Sequence, residues 1–152
     1  MFYVHASGTF TSTGSTCGSS CKYLEASPSD LSTSSNWCSD TSNSLAVSAT
    51  GVGSGMSNTT TADATCTSGA IQLAADFIRY GLSDWHLPSK DELNELYGQK
   101  AVVGVSSNLY WSSSEQPAFG TFQSWAQFFS NGFQDGKHKN LAAYVRAVRA
   151  FG

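Results

Sequence analysis

The four cysteines constrain this sequence most, because all of them lie within its first 66 residues. That half of the chain is rich in hydroxyl side chains: residues 1–70 hold 29 of the 39 Ser and Thr residues but only five of the 19 charged residues. Such a segment buries little apolar surface, and cross-links stabilise it by restricting the unfolded chain. We therefore expect a loop-rich N-terminal half held by disulfides.

Four cysteines allow three pairings, and their order along the chain favours Cys17–Cys21 together with Cys38–Cys66. A metal site or free thiols are the alternatives. Zinc sites usually combine closely spaced cysteine pairs with nearby histidines, whereas the three histidines of this chain are not close to its cysteines. Disulfides are the favoured interpretation, and they indicate an oxidising, extracellular or cell-surface compartment.

A length of 152 residues fits one domain, residues 1–152. The formal net charge is −3, which argues against nucleic acid as a partner because phosphate binding needs clustered basic residues. No apolar run approaches the ~20 residues that span a bilayer, so membrane insertion is not expected. The N-terminus has no signal-peptide pattern. Together with the disulfides, this favours a piece of a longer exported or phage-encoded chain, on a cell or virion surface.

Most of the regular patterns lie in the second half of the chain. Apolar residues at helical spacing predict a helix over about 69–80, with Gly81 as its stop. A second helix begins after Ser89, which can cap it while Glu92 returns the hydrogen bond, and it ends at Gly98. Two short helices are therefore expected.

Alternating side chains predict a mainly antiparallel sheet. Its strands are expected at residues 2–6, 109–113, 123–129 and 143–151. Asn131-Gly132 should form a hairpin turn, and Asp135-Gly136 should form a further turn or bulge. Residues 9–67 show no sustained period. The order of these elements predicts an α+β fold.

The last predicted strand carries two arginines, Arg146 and Arg149, on opposite faces. At most one of them should therefore face the core. Because an unpaired buried charge is very costly, we expect that arginine to pair with a carboxylate such as Glu115 or Asp84.

Three segments resemble, in order, the signatures of the C-terminal domain of Legionella collagen-like proteins. They are Gly81–Leu93 (GLSDWHLPSKDEL), Tyr110–Glu115 (YWSSSE) and Tyr144–Phe151 (YVRAVRAF). The resemblance extends weakly upstream and covers nearly the whole chain. It implies a C-type-lectin-like fold, related to the formylglycine-generating-enzyme group and used in bacterial surface and phage-encoded exported proteins. The best-understood relatives are trimeric adhesin tips that bind sulfated polysaccharides, so the resemblance also implies an adhesin of this kind.

The favoured function is an extracellular adhesion module that recognises a carbohydrate or a surface receptor, with a homotrimer as the favoured assembly. A structural surface or filament-assembly domain without a soluble ligand is the alternative. The sequence differs from that of a polyanion binder, because its net charge is negative and its one local basic cluster is Lys137-His138-Lys139.

The candidate binding segment follows residue 115, where aromatic rings are interspersed with side-chain amides. The rings can stack on sugars and the amides can form hydrogen bonds, and the same groups suit contact with a protein. The candidate ligand-binding residues are Gln116, Phe119, Phe122, Gln123, Asn131, Phe133, Lys137, His138 and Lys139. The alternative interpretation is that these are ordinary loop and strand residues, with Phe128 and Phe133 in the core.

No catalytic constellation is evident, so we expect neither enzyme activity nor a cofactor. The chain has no nucleophile elbow in a strand and helix context, and no cysteine after Cys66 to match the late cysteine pair of the formylglycine-generating relatives. Glu115-Gln116-Pro117 is the nearest match to a sugar-binding calcium triplet, but its proline is misplaced. The sequence leaves room only for a structural calcium at Asp135 or Asp63.

Overall fold

Two β-sheets and four short helices organise the chain, which a computed structural model describes over residues 1–152. The strands are β1 (Tyr3–Val4), β2 (Tyr23–Ala26), β3 (Ser32–Ser35), β4 (Trp85–His86), β5 (Leu109–Glu115), β6 (Gln123–Phe128), β7 (Gln134–His138), β8 (Ala143–Val145) and β9 (Val148–Phe151). The helices are α1 (Gly55–Asp63), α2 (Ala70–Ala75), α3 (Lys90–Gly98) and α4 (Lys100–Val103), with a 3₁₀ turn at Pro117–Phe119. None of these helices is long and apolar enough to cross a membrane.

The first sheet has the strand order β1-β2-β9-β4 and is antiparallel throughout, so it joins the two ends of the chain. The second sheet has the order β3-β8-β5-β6-β7, and only its β5–β8 pair is parallel. The predicted α+β fold is therefore confirmed. Its assignment as C-type-lectin-like stays a prediction.

Strand β5 contributes to both hydrophobic cores, because successive side chains of a strand point to opposite faces. Trp111 packs in one cluster with Trp37 and Trp85, whereas Tyr110 packs in the other with Leu93 and other residues. A strand covered on both sides explains why the segment from Tyr110 to Glu115 is continuously buried.

Both expected disulfides are present, Cys17–Cys21 and Cys38–Cys66. The second bond connects the segment after β3 to the residues after α1. Gly69 allows the chain to pass closely there, since its φ is +100° and an added Cβ would lie 2.8 Å from the backbone of Trp37.

The two predicted helices have different outcomes. Helix α3 is confirmed with its capping box: the Ser89 hydroxyl accepts from the Glu92 N–H, and the Glu92 carboxylate accepts from the Ser89 N–H. The helix predicted over 69–80 ends at Ala75 instead. Phe77 leaves the helical path to pack edge-on against Trp85, at 5.2 Å between ring centroids.

Helix α1 lies in the segment for which no element was predicted. Its apolar pattern is weak because polar groups attach it to its surroundings. The Asn58 amide donates to the Ala49 carbonyl at 2.8 Å, and the Thr59 hydroxyl accepts from the Leu87 N–H at 3.1 Å. Polar contacts with residues outside the helix, one of them 28 positions away, therefore define this helix.

The prediction of one continuous strand over 143–151 is wrong. The chain breaks between β8 and β9, which lie in different sheets. Ser27 occupies the break: its N–H donates to the Ala147 carbonyl, and its hydroxyl accepts from the Ala147 N–H. As a result Arg146 and Arg149 are both buried, contrary to the expectation that one at most would be.

Each arginine has an acidic partner. Arg146 lies 3.0 Å from Asp30, while Arg149 bonds Asp84 and lies 3.2 Å from Glu25. The expected pairing with Asp84 is thus confirmed. Glu115 has a different partner, described below.

The hairpin between β6 and β7 forms at Asn131-Gly132 as predicted, with Phe133 returning to Phe128. Asp135-Gly136 is not a turn, however, because both residues lie within β7. Gly136 serves packing there: an added Cβ would lie 2.7 Å from the Gln123 side-chain oxygen. The N-terminal strand is also shorter than expected, at two residues.

Three buried carboxyl groups make the free energy of unfolding depend on pH in the acid range. Burial alone would raise the pKa values of Asp84, Glu92 and Glu115, but their hydrogen bonds and neighbouring basic side chains outweigh burial and lower all three. The unfolded chain, whose carboxyls have ordinary pKa values near 4, therefore binds more protons than the folded chain as the pH falls. We expect the contribution of these groups to be complete above about pH 5 and to be lost progressively below about pH 4.

Urea denaturation followed by tryptophan fluorescence between pH 7 and pH 2.5 measures this loss. The double variant Glu115→Gln/Lys139→Met provides the control, because it lacks one of the three carboxyls and should lose less stability. An unfolding free energy that stays level down to pH 3 would show that these groups have ordinary pKa values in the folded protein.

Candidate functional site

A polar cleft opens where β5 ends, between a loop of the N-terminal half and the connection to β6. One wall is loop 42–48 and the other is segment 116–123. The cleft has a volume of about 190 Å³. Its lining residues are Ser44, Ala46, Ser48, Glu115, Pro117, Gly120, Thr121 and Gln123. We call it the loop cleft.

A buried lysine holds the two walls together. The Lys139 ammonium is fully buried and donates to the Glu115 carboxylate at 2.6 Å, the Asn43 carbonyl at 2.7 Å and the Thr121 carbonyl at 2.8 Å. An ammonium group has three N–H donors, so Lys139 uses all of them inside the protein. One side chain thus fixes both walls and neutralises the carboxylate at the base of the cleft.

Glu115 fixes the backbone of loop 42–48. Its carboxylate accepts from the N–H groups of Leu45 and Val47, each at about 3.0 Å. Ala46 between them has a φ of 60°, a left-handed conformation that costs a non-glycine residue about 1–2 kcal/mol. The two hydrogen bonds therefore hold the loop in a shape that it would not adopt alone.

Two aromatic residues, Phe119 and Phe122, belong to the wall segment 116–123, and His138 stacks on the second of them; we call these three rings the aromatic rim. Phe119 projects from the 3₁₀ turn with 72% of its surface exposed. Phe122 stacks on the His138 ring, with 4.5 Å between centroids and an interplanar angle of 24°. Gly120 lies against Phe122, since an added Cβ would be 2.7 Å from the ring. The rim combines one free aromatic face with one stacked pair.

Five of the predicted binding residues lie together at this end of the sheet: Gln116, Phe119, Phe122, Gln123 and His138. Asn131 and Phe133 lie at the opposite end of the β6–β7 hairpin. The five residue steps of β6 span about 17 Å, so these two residues belong to a different surface. Phe133 is 59% exposed there, so the alternative that placed it in the core is wrong.

The basic cluster expected at Lys137-His138-Lys139 does not form on the surface. Lys139 points into the interior, as described above. Lys137 lies 3.0 Å from Asp135 and over the Phe128 ring. Only His138 of the three is both exposed and free of a charged partner.

Sequence reasoning missed the N-terminal wall of the loop cleft, which Ser44, Ala46 and Ser48 form. These residues are small, polar or both, and they lie in a segment full of similar residues. The only local signal was the apolar pair Leu45 and Val47, which the buried Glu115 fastens to the sheet.

No group of three or more His, Cys, Asp or Glu side chains in the chain could hold a metal ion. Asp135 is paired with Lys137, and Asp63 has a raised pKa because of burial and the nearby charge of Asp76. A structural calcium at Asp135 or Asp63 stays a prediction.

Fold and site together define a disulfide-linked α+β domain whose loops enclose a polar cleft with an aromatic rim. Residues 20–149 match the family described as the Lcl C-terminal domain. The match covers most of the chain, and the protein therefore belongs to this family, as the three ordered signatures predicted. Comparison with curated proteins finds no match.

Proposed function

We propose that this protein is an extracellular binding module that recognises a carbohydrate or a surface receptor through the loop cleft and its aromatic rim. The observation that carries the proposal is the 72% exposed ring of Phe119 beside a polar cleft with a fixed backbone. Exposed aromatic faces next to hydrogen-bonding groups are typical of surfaces that bind sugars or proteins. Binding without catalysis is part of the proposal.

An exported location is supported by the two disulfides, which persist in oxidising compartments. We also propose a homotrimer. Three copies with their loop clefts at the same end would turn weak individual sites into a strong multivalent one.

A second candidate function is a surface or filament-assembly domain. It is supported by an apolar patch on the segment after α2, where Ile78 is 65% exposed and Tyr80 is 85% exposed. Leu31, Leu73 and Phe77 line a shallow groove next to this patch. Mass in solution, measured alongside glycan screening, separates the two functions: assembly without any binding partner favours this second candidate.

Substituting the aromatic rim tests the binding proposal. The triple variant Phe119→Ala/Phe122→Ala/His138→Ala should bind the glycan or receptor that the wild type binds on an array at least tenfold more weakly, because it loses all three rings of the aromatic rim. Glycan and receptor arrays measure the change, and circular dichroism checks the fold.

The control is Asn131→Ala/Phe133→Ala, which removes a similar exposed ring and polar group at the other end of the hairpin. It should bind as the wild type does. If the control loses binding while the rim variant keeps it, the ligand site lies at the hairpin tip instead.

A further inference from the structure

We propose that the loop cleft accepts an uncharged sugar residue and discriminates against sulfated and carboxylated sugars. This inference rests on the proposed binding function and specifies its ligand class. It follows from three features of the cleft: the state of its lysines, the charge at its margin and the polar groups on its walls.

No lysine near the loop cleft is free to bind an anion. Lys139 donates all three of its N–H groups to protein oxygens, and its charge is balanced by Glu115 at 2.6 Å. Lys137 is paired with Asp135. A sulfate or carboxylate bound here would therefore lose its hydration without gaining a charge-assisted hydrogen bond from either lysine.

The margin of the loop cleft carries negative charge. Asp40 is partly exposed just before loop 42–48, and hydrogen bonds from the Asn43 side chain and from the backbone of Asn43 and Ser42 lower its pKa to about 2. The same Ser42 accepts a hydrogen bond from the Thr121 hydroxyl across the cleft. Asp40 is thus ionised at every physiological pH, close to where a ligand would enter, and it repels anionic ligands.

The walls of the cleft offer neutral hydrogen-bonding groups. Ser48 and Gln123 both line it, and neither side chain makes a hydrogen bond within the chain. The Thr121 hydroxyl donates to Ser42 and keeps its lone pairs as acceptors. Donors and acceptors of this kind match the hydroxyls of a sugar.

The size of the cleft fits one sugar ring. A volume of about 190 Å³ equals roughly six water molecules, which is comparable with a single pyranose. Phe119 at the rim can cover the apolar face of the ring, while the walls contact its hydroxyls. A longer glycan would leave the cleft along the exposed rim.

Paired glycans test the ligand class. An array that carries each neutral oligosaccharide beside its sulfated and sialylated forms should show selective binding to neutral members, with the sulfated form of the same backbone bound at least tenfold more weakly. Affinity for the neutral glycan should change less than twofold between 0.05 M and 0.5 M NaCl, since salt screens only charged contacts.

Filling the cleft tests the location. Ser48→Tyr should reduce binding of the neutral glycan at least tenfold, whereas the matched change Ser130→Tyr, on the exposed hairpin tip, should leave it unchanged. Gln123→Ala removes the amide without filling the cleft, and it should also weaken binding of the neutral glycan severalfold. Thermal denaturation confirms that all three variants fold.

Preferred binding of sulfated or sialylated glycans would overturn this inference and leave the binding function standing. Neutral binding that survives both Ser48→Tyr and Gln123→Ala would overturn the assigned site. If no glycan of any charge and no receptor binds, the proposed function itself fails.

Discussion

Replacing Lys139 by methionine should lower the free energy of unfolding by about 3–5 kcal/mol, the usual cost of leaving a buried charge without its partner. Methionine fills a similar volume but cannot donate to the Glu115 carboxylate or to the carbonyls of Asn43 and Thr121. Glu115 would then be buried without a counter-charge. Urea denaturation followed by tryptophan fluorescence at pH 7 measures the change.

Lys137→Met is the matched control, because it removes the same charge from a partly exposed pair with Asp135. Surface pairs contribute about 0–1 kcal/mol, so this variant should be close to the wild type. The double variant Lys139→Met/Glu115→Gln should regain part of the lost stability. Equal effects of Lys139→Met and Lys137→Met would contradict the buried network.

Removing the Cys38–Cys66 disulfide should cost about 3.5 kcal/mol, and removing Cys17–Cys21 about 2 kcal/mol. The difference arises because the first bond closes a sequence separation of 28 residues and the second closes only four. A longer loop restricts the unfolded chain more strongly. Denaturation of the two double cysteine-to-alanine variants measures both values.

The local pair serves as the control for the long-range pair, since each double variant removes two cysteines. The free energies of unfolding of both variants should lie between that of the oxidised wild type and that of the wild type treated with a thiol reductant. If loss of Cys17–Cys21 destabilises the protein more than loss of Cys38–Cys66, loop length is not the dominant cause.

Local chemistry explains what could be predicted from the sequence. Ser89 and Glu92 cap α3 through contacts three residues apart, and Asn131-Gly132 closes a hairpin whose strands are neighbours in sequence. Such elements depend on residues that a short window contains. The pairing of the cysteines also followed from their order along the chain.

Contacts between distant segments explain what could not be predicted. Helix α1 is held by the Leu87 N–H, which lies 28 residues from its partner Thr59, and Ser27 divides the C-terminal strand, which lies 120 residues later in the chain. Arg149 is buried because Asp84 and Glu25 reach it from two other strands or their edges. These polar contacts leave no periodic pattern of hydrophobic residues in the sequence.

The candidate site shows the same division. Residues 116–123 were predicted because their aromatic and amide side chains are distinctive in sequence. The opposite wall was not, because Ser44, Ala46 and Ser48 become part of the site only through Glu115 and its bonds to the loop. Lys139 was assigned to the surface by its charge, whereas its three internal acceptors place it in the interior.

One measurement tests most directly whether the loop cleft is a binding site. An amide NMR titration of the ¹⁵N-labelled protein with a panel of neutral and anionic monosaccharides reports which residues meet each sugar. We predict saturable shifts with at least one neutral sugar, centred on Ser48, Thr121 and Gln123 and absent at Asn131. Shifts produced only by anionic sugars, or centred on the hairpin tip or the patch after α2, would contradict the account.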